Sequence, residues 1–245
     1  MKYKLLALDM DGTLLNSDKE ISEANQTWIR RAADAGVMVC IATGRGRDSI
    51  APYIEQLGLE TPFVAINGSE VWRNADQLYS RKLIAPNIIA RLHRLAVEHE
   101  LWYWAYGVSG VYNKDNWVRD LNREDWMKFC YHIEDEATLS HIAEEISTWG
   151  NLEASNSDPR NIEYNPLGVT KATGLRELCE LVGFQMADIV AVGDSLNDLA
   201  MIQEAGLGIA MGNAQDAVKR AADTVALSND EDGVAEIIQR YILSE

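Results

Sequence analysis

The sequence predicts an α/β fold, a Rossmann-like parallel sheet with helices on both faces, plus an inserted α+β domain. Three observations predict it. Short, near-continuous apolar runs alternate with helical patterns at both ends of the chain, the rhythm of βαβ units. These runs stop at polar residues and glycines, where the loops of a parallel sheet gather. Between about residues 84 and 164 the rhythm gives way to alternating segments of antiparallel type and two helices.

In order, LLALDMDGT (5–13) reads as a buried strand ending in acids and a glycine turn. Ser22 is placed as the N-cap of a helix that Gly36 closes. VMVCIATG (37–44) is a second buried strand, and the helix after it runs to about Leu57 and stops at Gly58. FVAINGS (63–69) is expected to be a third strand of the same parallel sheet. EVWRN (70–74) and QLYSRK (77–82) suggest a hairpin, and Pro86 opens a helix. LWYWAYG (101–107) and SGVYN (109–113) alternate like strands, a helix covers about Glu136 to Trp149, and LEASNS (152–157) and NIEYN (161–165) follow as strands. From Thr170 the βα rhythm returns through strands at 188–194, 207–212 and 224–228, each followed by a helix. The expected organisation is a core of residues 1–83 and 165–245 with an insertion at 84–164.

Composition narrows the function. The 245 residues are 47% hydrophobic and 24% charged, enough apolar material for a real core. Thirty-eight acids against 22 bases give a net charge of −16, a field that opposes nucleic acid and anionic membrane surfaces. No stretch approaches 18 apolar residues, and acids enter by position 9, too early for a signal peptide. Cys40, Cys130 and Cys179 form no CxxC pair, which fits reduced thiols in a cytoplasmic protein. Nothing points to an assembly, so a monomer is the default.

Four polar clusters stand at strand ends: Asp9 with Asp11, Thr43-Gly44, Asn67-Gly68, and Asp194 with Asn197 and Asp198. Lys171 opens the helix that returns to the core. Two carboxylates on adjacent strand ends repel each other, and a hard divalent cation such as magnesium relieves that while admitting a phosphate. Thr43, turn N–H groups and Lys171 can bind phosphate oxygens. A carboxylate in line with phosphorus can attack it, and one two residues on can protonate the leaving alcohol and then activate water.

These residues carry a resemblance. DMDGT, the TGR at Thr43–Arg45, Lys171 and GDSLND closely resemble the four motifs of the haloacid dehalogenase superfamily of phosphatases. Asn67-Gly68 and the closing AMGNA…SNDEDGVA resemble its Cof-like branch, subfamily IIB, over roughly residues 2–82 and 165–243. The resemblance implies that Asp9 is the nucleophile and that Asp11 is the general acid/base, its main-chain carbonyl on the metal. It implies that Thr43 and Gly44 hold the phosphoryl group and that Lys171 neutralises Asp9 and phosphate. Asp9, Asp11 and Asp194 would ligate Mg2+, Asp198 would support the metal through water or hydrogen bonds, and Asn197 would reach the phosphate. Asn67 is open between a substrate role and a plain turn, and Arg45 between substrate and a surface ion pair. The insertion would be a cap that sets specificity.

The expected activity is magnesium-dependent hydrolysis of a small phosphorylated metabolite, such as a sugar phosphate or phosphoglycolate, through an aspartyl-phosphate. A sugar phosphomutase uses the same motifs. A phospho-accepting signalling domain shares clustered acids, Thr and Lys, but is about half this length and lacks the second acid. Within the insertion, the tryptophans are read as packing, Trp102 and Trp104 on one face, and His93, His99, His132 and His141 as surface residues.

Overall fold

A computed structural model describes residues 2–243. The chain divides into two compact units, Met1–Ser80 with Lys171–Glu245, and Arg81–Thr170.

The larger unit holds β1 (Leu5–Leu8), α1 (Glu23–Asp34), β2 (Met38–Ile41), α2 (Arg47–Leu57), β3 (Phe63–Ala65) and β4 (Glu70–Asn74). β5 (Gln77–Arg81) spans the divide. Ser22 caps α1 by accepting from the Asn25 N–H, and Gly58 ends α2 in the left-handed conformation. After the smaller unit the chain continues with α5 (Lys171–Val182), β11 (Ile189–Gly193), α6 (Leu199–Glu204), β12 (Leu207–Ala210), α7 (Asp216–Ala221), β13 (Thr224–Val225) and α8 (Gly233–Ile237).

Five strands form a parallel sheet in the order β13-β12-β11-β1-β2. β1 is buried at all four positions, as a strand covered on both faces must be. Leu5, Ala7, Cys40, Ile189 and Ala191 pack one face against Leu175 and Leu178 of α5.

One expectation changes. β3 does not join the parallel sheet as a full strand. It pairs antiparallel with β4 in a separate β3-β4-β5 sheet and meets the end of β2 through a single bridge, Ala42 to Val64. The cause is the turn after it: Ile66, Asn67 and Gly68 all have positive φ (51°, 54° and 98°), which reverses the chain directly into β4.

The smaller unit contains α3 (Pro86–Glu98), β6 (Trp102–Gly107), β7 (Gly110–Asn113), β8 (Trp126–His132), α4 (Glu136–Ser147), β9 (Leu152–Ser155) and β10 (Asn161–Pro166). The strands form an antiparallel sheet, β7-β6-β8-β10-β9. Its middle strand, β8, went unread in the sequence. β10 pairs with β9 through Pro166↔Leu152, which carries this unit past residue 164. Tyr103, Phe129, Tyr131 and Tyr164 face the helix residues Ile89, Leu92, Ile142 and Ile146 in one core.

That core corrects two readings. On β6 the core-facing residues are Tyr103 and Ala105, so Trp102 and Trp104 share the opposite face and Trp102 is 40% exposed. Trp126, fully buried, does pack, with Trp117 and Trp149 against it or its neighbours. His93 is half-buried rather than a plain surface residue: its ring stacks on Trp117 at 4.3 Å and hydrogen-bonds the Tyr103 hydroxyl at 3.0 Å.

Candidate active site

The parallel sheet brings three strand ends side by side. β1 lies between β2 and β11, with Leu8 opposite both Ile41 and Val192. Asp9 follows β1, Thr43 follows β2 by two residues, and Asp194 follows β11. The ladder continues past the strands, with Asp9 N–H donating to Val192 O (3.0 Å) and Ala42 N–H to Leu8 O (2.8 Å).

Asp9 is buried, and Lys171, the first residue of α5, is fully buried beside it. Lys171 Nζ donates to Asp9 Oδ1 at 2.5 Å and to Asp198 Oδ1 at 2.7 Å. The other Asp198 oxygen accepts from the Asp194 and Ser195 N–H groups at 2.9 and 3.0 Å. Asp194 accepts from Thr13 Oγ1 (3.4 Å) and Ser195 Oγ (3.0 Å). One oxygen each of Asp9, Asp194 and Asp198 lies within 4.8 Å of the others. A side chain on Gly12 could not coexist with this arrangement: φ is +78° and a Cβ would come 2.6 Å from Asp194 Oδ2.

Thr43 is buried, and its Oγ1 accepts from the Arg45 N–H at 3.2 Å across Gly44. Its carbonyl accepts from the Asn67 N–H at 2.9 Å. Asn67 and Asn197 are both buried, and Asn197 Nδ2 donates to Asn67 Oδ1 at 3.2 Å while Asn197 Oδ1 is buried without a partner. A buried carboxamide atom left over in this way suits a further polar group entering the site. Asn67 thus touches Thr43 on one side and Asn197 on the other, more than a turn requires.

Asp11 stands apart from the three clustered acids. Arg45 grips it with two parallel bonds, Nε to Oδ2 and Nη2 to Oδ1, both 2.7 Å, and Lys19 Nζ adds a third at 2.9 Å. The Arg45 alternative of a surface ion pair is therefore half right: the partner is Asp11. Thr13 and Ser195 lie inside the DMDGT and GDSLND motifs but were given no role there, and Lys19 escaped the sequence reading because a single lysine in a loop carries no pattern. The Ser195-x-x-Asp198 capping box was the one local signal available.

Electrostatics separate these acids. Burial raises the Asp9 carboxyl well above its ordinary range, and Asp198 and Asp194 add to that against the opposing Lys171. Burial and the Asp198 charge push Asp194 up to about 7 against its hydrogen bonds and Lys171. Burial would also raise Asp11, but the hydrogen bonds and charges of Arg45 and Lys19 outweigh it and bring Asp11 down to about 2. Burial acts to discharge Lys171, yet Asp198 and Asp9 hold it charged. Three carboxylates around one ammonium leave negative charge uncompensated. Oxygen donors in that state suit a hard cation, and the oxygens best placed to take one are those of Asp9, bonded by Lys171 through Oδ1, and of Asp194, met only by two hydroxyls, since the Asp198 oxygens are held by the ammonium and two main-chain N–H groups.

The profile of the haloacid dehalogenase-like hydrolase family matches residues 6–119 and 113–238. The chain belongs to this family. It is similar to the 5-amino-6-(5-phospho-D-ribitylamino)uracil phosphatase YcsE of Bacillus subtilis, 43% identical, covering 98% of this chain and 96% of that one. It is 28% identical to the pyridoxal phosphate phosphatase YbhA of Escherichia coli over 99% of this chain and all of that one. Among solved structures, a haloacid dehalogenase-like hydrolase from Bacteroides thetaiotaomicron shares 32% identity and a TM-score of 0.80, covering 98% and 99% of the two chains. Another from B. subtilis reaches a TM-score of 0.89 at 25% identity, covering 97% and 99%. The chain is a Cof-like phosphatase of the haloacid dehalogenase family. None of its described helices is long and apolar enough to cross a membrane.

Proposed function

We propose that the protein is a magnesium-dependent phosphatase of a small phosphomonoester, working through a covalent phosphoryl-enzyme on Asp9. The observation that carries this reading is the buried Lys171 ammonium joining Asp9 and Asp198, with Asp194 completing the acid cluster. Lys171 keeps Asp9 oriented and offers positive charge to an approaching phosphate.

In the first half-reaction an Asp9 oxygen forms a bond to phosphorus as the ester P–O bond breaks, and Asp11, which takes up a proton from solvent once it leaves the hold of Arg45 and Lys19, gives that proton to the departing oxygen. In the second, Asp11 takes a proton from water, the hydroxyl attacks phosphorus, and Asp9 is released with inorganic phosphate. Thr43 Oγ1 and the Gly44 N–H steady the transferred group, and Asn197, held by Asn67, supplies a further polar contact. Magnesium held by Asp9, Asp194 and the Asp11 carbonyl would neutralise phosphate charge, with Asp198 fixing the turn that presents Asp194.

The smaller unit, with its own core, is the cap that reads the leaving group. The names of the relatives at 43% and 28% identity both describe a phosphate ester borne by a nitrogen heterocycle. We place the substrate in that class of small metabolite esters. The three cysteines are all free and buried, consistent with a reducing cytoplasm. The test is Asp9→Asn assayed with magnesium against a panel of phosphate esters, alongside acid-quench trapping of phosphoprotein. Loss of both turnover and trapped phosphate is expected. Near-normal turnover in Asp9→Asn overturns the assignment.

A further inference from the structure

Asp11 poses a problem that the reading above leaves open. An acid that protonates a leaving oxygen needs one of its own oxygens facing that group. Here both are engaged by Arg45, and Lys19 holds one of them a second time. The clamp is built rather than incidental. Tyr53 on α2 ties its two arms together: its hydroxyl donates to Lys19 O at 3.2 Å, and its ring lies 5.4 Å from the Arg45 guanidinium. Arg45 is also fixed on the turn that carries Thr43, through its own N–H to Thr43 Oγ1 and through its carbonyl, which accepts from the Ile66 N–H at 3.0 Å.

Resting on the proposed phosphatase chemistry, we infer that Arg45 is a positioning residue shared between two anions. In the free enzyme its guanidinium holds the Asp11 carboxylate away from the Asp9 cluster. A phosphate ester reaching Thr43 takes that guanidinium over and releases Asp11 to the leaving group. Three acids already share one lysine in the cluster, and a fourth free carboxylate there would repel an incoming dianion. A guanidinium fork fits phosphate and carboxylate alike, so trading one oxyanion for another avoids stranding the cation. Occupancy of the phosphate site thereby controls when Asp11 is free.

The test is a double-mutant cycle read by calorimetric binding of inorganic phosphate in magnesium, which needs no turnover. Arg45→Met should weaken phosphate about tenfold, and Asp11→Asn, which removes the competitor, should tighten it about tenfold. In the Arg45→Met background, Asp11→Asn should change binding less than about threefold. Equal tightening in both backgrounds, or unchanged affinity in Arg45→Met, overturns the exchange. Kinetically, Arg45→Met should raise KM for p-nitrophenyl phosphate and for glycerol phosphate about tenfold, with kcat within a few-fold. A fall in kcat at unchanged KM also overturns it. Thermal unfolding checks that each variant is folded. If the cycle behaves as expected but the wild type hydrolyses no phosphate ester, the proposed function fails and the exchange stands.

Discussion

Each of the two units buries a lysine, and the surroundings of the two lysines differ in kind. In the smaller unit, Lys128 on β8 meets Glu163 on β10 at 3.0 Å, both side chains 3% exposed, and Ser157 bonds the other Glu163 oxygen. The two charges pair directly, and Glu163 holds Lys128 charged against its burial. In the larger unit, Lys171 faces Asp9 and Asp198 with Asp194 close by, and burial together with the neighbouring acids shifts Asp9 and Asp194 upward. The first arrangement sets a cation directly against an anion. The second has spare negative charge and spare oxygens, and so can take a cation and a phosphate. Burial of charge alone therefore does not mark a reaction site in this molecule; imbalance does.

The largest expected effects test that contrast directly. Asp9→Asn removes one of the crowded charges, so activity should fall by at least about 10³-fold while stability in urea stays equal or rises. Lys128→Met does the opposite. It strands Glu163 in a buried setting and should destabilise by about 3–5 kcal/mol. Replacing both partners, Lys128→Met with Glu163→Leu, should recover most of that loss. If Lys128→Met costs no more than an exposed substitution, the Lys128–Glu163 pair is not what holds β8 to β10.

An intermediate effect follows from pH. The folded Asp194 carboxyl is raised from 3.8 to about 7, so its contribution to stability is fully present below pH 3.8 and is lost as pH rises toward 7. Asp9 moves in the same direction. Asp11, lowered to about 2, contributes in the opposite sense, above 3.8 and lost as pH falls toward 2. Metal-free protein should therefore melt at a lower temperature at pH 7 than the rest of its charges dictate, and Asp194→Asn should flatten that slope. Magnesium binds the ionised acids, so its stabilising shift should grow between pH 5 and pH 7. A magnesium shift that is the same at both pH values would mean that the acids are not its ligands.

The same contrast explains what could be read from the chain. The site acids were legible because a parallel sheet turns short apolar runs into adjacent strands, and a polar residue ending each run lands at the shared edge. β8 was not legible. Lys128 interrupts its apolar run, and the glutamate that makes a buried lysine tolerable is 35 positions away. β3 was legible as a strand but not as a member of the second sheet, because its partner is chosen by the positive-φ turn at Ile66–Gly68, and Ile66 gives no hint of that conformation. The loop that carries Lys19 is closed locally by Asn16, whose Oδ1 accepts from the Asp18 and Glu20 N–H groups at 3.1 and 2.8 Å, but that local pattern does not name Asp11 as the partner of Lys19.

The smallest effects separate local from long-range ties. Ser22 and Asp135 each cap a helix, Ser22 through the Asn25 N–H at 3.1 Å and Asp135 through the Thr138 N–H and hydroxyl at 2.7 Å. Asp135 bonds only within its own turn and is exposed. The Ser22 hydroxyl also donates to Asp232 Oδ1 at 2.5 Å, joining α1 to the start of α8. A lost cap of the serine type costs about 1 kcal/mol, so Ser22→Ala should cost at least that, with the tie to α8 adding to it. Asp135→Ala should cost less, since nothing beyond its own turn depends on it. Urea unfolding of the two variants checks this order. Equal losses would mean that the Ser22–Asp232 bond adds nothing, and that α1 is secured against α8 by its other contacts, among them the buried bond from the Ala235 N–H to Asn25 Oδ1 at 2.9 Å.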